Sequence, residues 1–292
     1  MDALIVLARA VHFAAVALLF GAPLFRLCVA PRGAAGPAAR AIALAAAGAA
    51  LLSALGWFVG VAAGMAGGWS DAFAADMLGA VGFDTRFGKL WIARLALLAA
   101  IIGLCAPAHW SRRRDTALVI LAAAVTASLV GAGHGTAGSG ALGPIHAVAD
   151  AVHLLCAATW LGGLFCLALV LRRAVIGSMD AQSLEIVLPR FSHVGYAAVT
   201  LLLASGCTNA LVLLPRPEAL ITTDYGRVLL VKIALTLLMV ALALFNRVAL
   251  APRVVASKGG TAALWRSVVA EQGIGLAIIV TVAWLGTIHP AP

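Results

Sequence analysis

The sequence predicts an all-α protein of the membrane, a polytopic helical bundle of about eight transmembrane helices. Of its 292 residues, 63% are hydrophobic and only 11% are charged, whereas soluble domains carry about a quarter charged residues. The apolar residues are gathered into runs long enough to cross a bilayer, which takes about 20 residues of helix. The charged residues fall in short connections between these runs, so most of the surface is expected to face lipid.

Eight apolar runs justify the helix count. The connection over 65–88 is long enough to include a short interfacial helix, and nothing along the chain indicates a separate soluble domain. The predicted spans are 3–25, 38–64, 88–107, 116–134, 144–171, 190–214, 226–249 and 268–289.

Basic residues in the connections orient these spans. Most of them follow the first, third, fifth and seventh spans, whereas the alternate connections collect acidic residues such as Asp71, Asp76 and Asp84. Because cytoplasmic loops accumulate Lys and Arg, both termini are predicted to be periplasmic. The net charge of +9 is thus a topology signal, and nucleic-acid binding is not predicted because no basic face carries interleaved aromatic residues.

The chain is predicted to consist of two parallel four-helix repeats, residues 1–143 and 144–292. Each repeat has an even number of spans, so a pseudo-twofold axis along the membrane normal is expected to relate them. The second and sixth spans match weakly, through Arg40 with Arg190 and Gly56 with Gly206. The rare residues that recur in equal register are His12 with His153, Gly21 with Gly162, Gly88 with Gly226, Arg94 with Lys232, Gly131 with Gly286, and His134 with His289.

Histidines near the outer ends of the spans are the candidate site. His12 and His153 both lie about nine residues into their helices, which places each ~13 Å below the surface. If the first and fifth spans lie near the axis, the two imidazoles face each other across it. His134 and His289 form a second matched pair at the outer membrane face.

The fifth span adds two further candidates. Steps of four and three residues put His146, Asp150 and His153 on one helix face. Ionisable groups within a membrane are costly and usually mark a functional site. The alternative for each histidine is a structural one, in which it only bridges two helices by a hydrogen bond.

Imidazole-rich sites suit first-row transition metals, whereas calcium or magnesium would need several oxygen ligands. The metal ligands are therefore predicted among His12, His153, His134, His289, His146 and Asp150. A second hypothesis remains open: His12 and His153 as the axial ligands of a b-type haem in an electron-transfer protein.

The five cysteines form no CxxC pair, which predicts neither a disulfide framework nor covalent haem. The chain has no P-loop sequence, so transport would be passive or coupled to protons or to the membrane potential. No enzymatic activity is predicted.

Several short motifs occur in a distinctive order, mostly over about 145–250. They are Asp150 through His153 to Trp160-Leu161-Gly162-Gly163, then Arg190-Phe191-Ser192, Ser205-Gly206 with Asn209-Ala210, Tyr225-Gly226-Arg227 to Lys232, and Asn246-Arg247. In this order and spacing they resemble the copper-resistance protein D (CopD/PcoD) family of bacterial inner-membrane proteins. The resemblance implies movement of copper ions across the inner membrane, together with a periplasmic copper-binding partner similar to CopC.

Overall fold

The computed structural model describes residues 2–31, 37–107, 110–132, 142–179, 181–213, 216–254 and 258–288, and these ranges contain helices and no strand. The predicted all-α bundle is confirmed. The helices are α1 Asp2–Cys28, α2 Pro37–Ala66, α3 Ala75–Gly79, α4 Arg86–Cys105, α5 Arg112–Ala127, α6 Leu142–Val175, α7 Ala181–Leu213, α8 Ala219–Thr222, α9 Asp224–Phe245, α10 Ala251–Val254 and α11 Lys258–Leu285.

Seven helices of the described ranges are long and apolar enough to cross a membrane. They are α1, α2, α4, α6, α7, the continuous segment from α9 through α10, and α11. The fourth predicted span is shorter in the structure, because α5 has 16 residues and then tightens into a 3₁₀ turn over Ser128–Ala132. The count of eight therefore stays a prediction.

Two helix starts differ from the sequence-based ones for a physical reason. Helices α7 and α11 begin at Ala181 and Lys258, well before the predicted residues 190 and 268. Their first turns carry polar and charged residues that hydropathy assigns to loops, yet such residues continue a helix readily once it leaves the apolar layer. The short α3 lies in the connection that was expected to hold an interfacial helix.

Helices α1 and α6 form the centre of the bundle. Helix α1 packs against α2, α5 and α6, and α6 packs against α7 and α11. They cross at Gly21 and Gly162, where a Cβ on Gly21 would come within 2.5 Å of the Ala158 carbonyl oxygen and one on Gly162 would collide with the Ala17 carbonyl. The same small-residue face on each helix thus meets its counterpart, which is the pattern of a twofold contact.

Helices α4 and α9 begin in the same way. Thr85 and Thr223 are extended N-cap residues whose hydroxyls accept the backbone N–H of Gly88 and Gly226, at 2.9 and 3.0 Å. A Cβ on either glycine would collide with a carbonyl of the preceding turn. The threonine and glycine therefore fix the angle at which the chain enters each helix.

One end of the bundle carries Arg26, Arg112, Arg172 and Arg247 and is called the arginine-rich end. A largely buried ion pair stabilises it. The Arg26 guanidinium at the end of α1 donates to Asp115 at the start of α5, with Nη2 at 2.6 Å from the carboxylate oxygen. The Trp110 indole N–H donates to the same oxygen at 3.0 Å. The pair fixes α5 against α1 despite the short length of α5.

Candidate functional site

His12 lies in a fully enclosed aromatic site of α1, α2 and α4. Its Nδ1 is 3.0 Å from the Ala50 carbonyl oxygen and 3.2 Å from the Ser53 hydroxyl, both on α2. The ring has no exposed surface and packs about 6 Å, centroid to centroid, from the indoles of Trp57 and Trp91. Its Nε2 is buried without a hydrogen-bond partner.

His153 makes the corresponding contacts with α7. Its Nδ1 is 3.0 Å from the Leu202 carbonyl oxygen and 3.4 Å from the Ser205 hydroxyl. Ser53 and Ser205 are therefore the equivalent residues of α2 and α7, a register two residues away from the weak match predicted between these helices. Each imidazole forms its hydrogen bonds with a helix of its own half. These bonds do not connect the two rings, so the expectation that the rings face each other stays a prediction.

The protonation of both rings follows from these bonds. A carbonyl oxygen only accepts hydrogen bonds, so Nδ1 carries the proton in both His12 and His153. Each Nε2 then holds a lone pair, the form in which imidazole binds a metal ion. An Nδ1–H bond to a backbone carbonyl is also the usual way in which a metal-ligating histidine is oriented.

His146, Asp150 and His153 line two cavities along one face of α6, as their spacing predicts. A cavity of about 150 Å³ is lined by His146 and Asp150 together with Arg9 and Lys232. A second cavity of about 170 Å³ is lined by Asp150, His153 and Lys232. Because they share Asp150 and Lys232, the two cavities adjoin.

The charges of these cavities come from both halves of the bundle. Arg9 on α1 and Lys232 on α9 are basic, and Asp150 is the acidic residue that lines either cavity. The Asn209 amide donates to the Asp150 carboxylate at 3.1 Å. Asp150 is thus held in place by α7 and lies where a cation that enters the cavities would meet a negative charge.

The first half differs from this arrangement because its interior is filled. The Arg94 guanidinium, at the position equivalent to Lys232, stacks 4.1 Å from the Trp91 ring centroid and donates to Ser128 at 3.0 Å. The Arg9 guanidinium stacks 4.5 Å from the Trp57 ring centroid. Aromatic rings and guanidinium groups therefore occupy the space around His12, whereas the space around His153 is a cavity.

Within the described ranges, no three or more His, Cys, Asp or Glu side chains are grouped closely enough to hold a metal ion. The predicted ligands His134 and His289 lie outside these ranges. Cys156 is buried in a small apolar cluster with Ala198 and Leu202, which agrees with a packing role.

Sequence comparisons place the chain among known membrane proteins. A model described as copper resistance protein D-like, N-terminal domain, matches residues 1–144, and one described as copper resistance protein D matches residues 185–285. Inner membrane protein YebZ of Escherichia coli (strain K12) is 36% identical over 234 residues, which cover 77% of this chain and 76% of YebZ. The chain belongs to the copper resistance protein D family.

Two further relatives have names that refer to copper. Copper resistance protein D of Pseudomonas syringae pv. tomato is 31% identical over 71% of this chain and 70% of its own length. Copper transport protein CutJ of Bacillus subtilis (strain 168) is 28% identical over 77% of this chain and 41% of its own length. No solved structure matches the chain. The predicted family and the predicted multi-pass location in the inner membrane are confirmed, and the chain is a copper-related membrane protein.

Sequence reasoning missed several polar partners in this member of the copper resistance protein D family. Ser53 and Ser205 escaped notice because serine is common in membrane helices, although each lies on the helix that follows a matched histidine. Glu271 is a further residue that was not predicted as part of a site, and it is buried between Trp160 and Asn246. A lone acidic residue within the last predicted span, 268–289, was the signal that could have identified it.

We expect His12→Ala to destabilise the protein far more than His153→Ala. The first change removes an enclosed ring that packs against two indoles and should cost about 2–4 kcal/mol. The second change removes a ring that already borders a cavity and should cost about 1 kcal/mol. Thermal unfolding in detergent measures both effects, with the exposed His193→Ala as the control. Equal losses of stability at 12 and 153 would contradict the structural role assigned to His12.

Proposed function

We propose that the chain transports copper ions across the inner membrane through the adjoining cavities beside α6, with His146, Asp150 and His153 as the groups that the ion contacts in succession. In this proposal the protein is a transporter and not an enzyme, and copper is its cargo. The outer-face residues His134 and His289 would collect the ion, and a periplasmic CopC-like protein would deliver it.

The observation that carries the proposal is the placement of two imidazoles and a carboxylate along one face of α6, where they line two adjoining cavities. His146 and Asp150 line one of these cavities, and Asp150 and His153 line the other. Nitrogen and oxygen ligands of this kind bind copper well. Since Nδ1 of His153 is occupied by the Leu202 carbonyl, its Nε2 lone pair supplies the ligand.

A small number of ligands favours transport of the copper ion over its storage. A site with a complete ligand set binds copper tightly and releases it slowly, whereas an ion that must leave needs weak or successive sites. The two basic residues, Arg9 and Lys232, further weaken cation binding in the cavities. Asp150 offsets one of these two positive charges, so an ion would remain bound only while Asp150 is ionised.

Copper uptake into vesicles tests this function. Purified protein is reconstituted in liposomes with a copper-sensitive dye inside, and cuprous ion, kept reduced by ascorbate, or cupric ion is added outside. We expect uptake by the wild-type protein and a fall of about tenfold for His153→Ala, which corresponds to about 1.4 kcal/mol of lost interaction with the ion.

The matched control is His193→Ala, which removes an exposed imidazole from α7 and should leave uptake unchanged. Equal uptake by wild-type protein, His153→Ala and empty liposomes would overturn the proposal. An absorption spectrum of the same sample tests the haem hypothesis, since an intense Soret band that is lost in His12→Ala or His153→Ala would replace copper transport by haem binding.

A further inference from the structure

Glu271 is a buried acidic side chain that the proposed copper site does not use. It lies near the middle of α11 with 2% of its surface exposed. One carboxylate oxygen accepts the Trp160 indole N–H at 3.1 Å, and the other accepts the Asn246 amide N–H at 2.9 Å. Both donors are neutral, and neither of the two ion pairs found in the described ranges includes Glu271.

Among the residues that the structure describes, few ionisable groups line the cavity beside Glu271. This cavity of about 110 Å³ is lined by Trp160 of α6, Tyr196 of α7, and Asn246 and Arg247 of the π turn that follows α9. Arg247 is partly exposed and forms neither of the two ion pairs found in the described ranges. The cavity therefore offers a route between Glu271 and the arginine-rich end of the bundle.

Asn246 can serve both protonation states of Glu271. Its Oδ1 atom is buried without a hydrogen-bond partner, while its Nδ2 donates to the carboxylate. When Glu271 binds a proton, rotation of the amide by a half turn presents Oδ1 to the new O–H group, so a hydrogen bond is kept in either state. The π turn Asn246–Leu250 places the amide there, and such turns are frequent at functional sites.

Trp160 connects this group to the copper cavities. Its side chain lines both the cavity that holds Asp150 and His153 and the cavity that holds Glu271. An ion that moves from one cavity to the other must pass this indole, which Glu271 holds by its hydrogen bond. The carboxylate is thus the first acidic group that the ion meets beyond Trp160 within the described ranges.

We propose that Glu271 is a proton-binding site, at which a proton is exchanged for the copper ion that passes Trp160. The inference rests on the proposed copper transport and adds the coupling ion to it. A cation beside the carboxylate favours its ionised form, so copper that arrives past Trp160 releases the proton toward the cavities from which the ion came. When copper leaves toward the arginine-rich end, Glu271 takes up a proton from that end through its own cavity, so one proton moves opposite to each ion.

Infrared difference spectroscopy on purified protein tests the proton site without transport. We expect the wild-type protein to show a protonated-carboxyl band that decreases on addition of cuprous ion, and the band to be absent in Glu271→Gln. The control Glu185→Gln makes the same chemical change at an exposed carboxyl of α7 and should keep the band. Retention of the copper-sensitive band in Glu271→Gln, or its absence from wild-type protein, would overturn the inference.

Uptake under a pH gradient tests the coupling. If a proton is exchanged for each ion, a gradient of one pH unit changes copper accumulation by about tenfold, and Glu271→Gln should lose this dependence. Uptake with the same pH dependence in wild-type and Glu271→Gln protein would overturn the inference while copper transport stands. If wild-type protein moves no copper, the transport proposal fails, and the infrared band alone decides whether Glu271 binds a proton.

Discussion

We expect Gly162→Ala to prevent stable packing of α1 against α6. The added methyl group would meet the Ala17 carbonyl and the Gly21 backbone, and no side-chain rotation can relieve a collision with backbone. Overpacking usually costs about 1–3 kcal/mol, and the fixed backbone at this crossing places the expected cost at about 3 kcal/mol or more. Loss of the monodisperse peak in detergent chromatography, with a lower unfolding temperature, is the measurement.

Gly48→Ala is the matched control, because a Cβ at Gly48 of α2 meets nothing within 4 Å. Alanine is the better helix former by about 1 kcal/mol, so this variant should be as stable as the wild-type protein or more so. Gly21→Ala should reproduce the loss seen at position 162, since the two glycines contact each other. A Gly162→Ala protein as stable as Gly48→Ala would refute the close crossing of α1 and α6.

The second large effect is expected for Asp150→Asn, which should weaken copper binding a hundredfold or more. Opposite unit charges about 4 Å apart attract by about 4 kcal/mol at the effective dielectric of a protein near its surface, and each 1.4 kcal/mol is about a factor of ten. The amide keeps the size of the carboxylate and removes only its charge. The cavity that Arg9 and Lys232 line would then have two positive charges and no carboxylate to offset either of them. Equilibrium titration with cuprous ion measures the change.

Two further variants make this test specific. Asp76→Asn removes an exposed charge from α3 and should bind copper like the wild-type protein. Lys232→Gln added to Asp150→Asn should recover about tenfold of the lost affinity, because it removes a cation that borders the same cavities. If Asp150→Asn binds copper normally, the carboxylate does not hold the ion and the proposed cavity site is wrong.

Much of the fold could be predicted because a lipid environment permits few backbone structures. Long apolar runs must be helices that satisfy their own backbone hydrogen bonds, and this principle alone placed α1, α2, α4 and α6 closely. The start of α7 was not predictable from hydropathy, since Pro189 and Arg190 look like a boundary although the helix passes through them. The length of α5 was also not predicted, because amino-acid composition does not distinguish the 3₁₀ turn after Ala127 from a continuing α-helix.

The candidate site was predictable as a set of residue types but not as an arrangement. The spacing of His146, Asp150 and His153 fixed their common face because helix periodicity is rigid. Which way the His12 ring turns depends on Trp57 and Trp91, which come from α2 and α4, and no pattern local to α1 contains that information. The matched histidines indicated equivalent positions, whereas the residues around them determine that one is enclosed and the other borders a cavity.

The crossing at Gly21 and Gly162 also constrains how the protein is made. The ribosome adds the second glycine 141 residues after the first, which at about 5–20 residues per second takes roughly 7–28 s. During this interval α1 enters the bilayer, and the face that carries Ala17 and Gly21 has no partner helix yet. Lipid tails or the insertion machinery must therefore cover that face until the second half of the chain arrives.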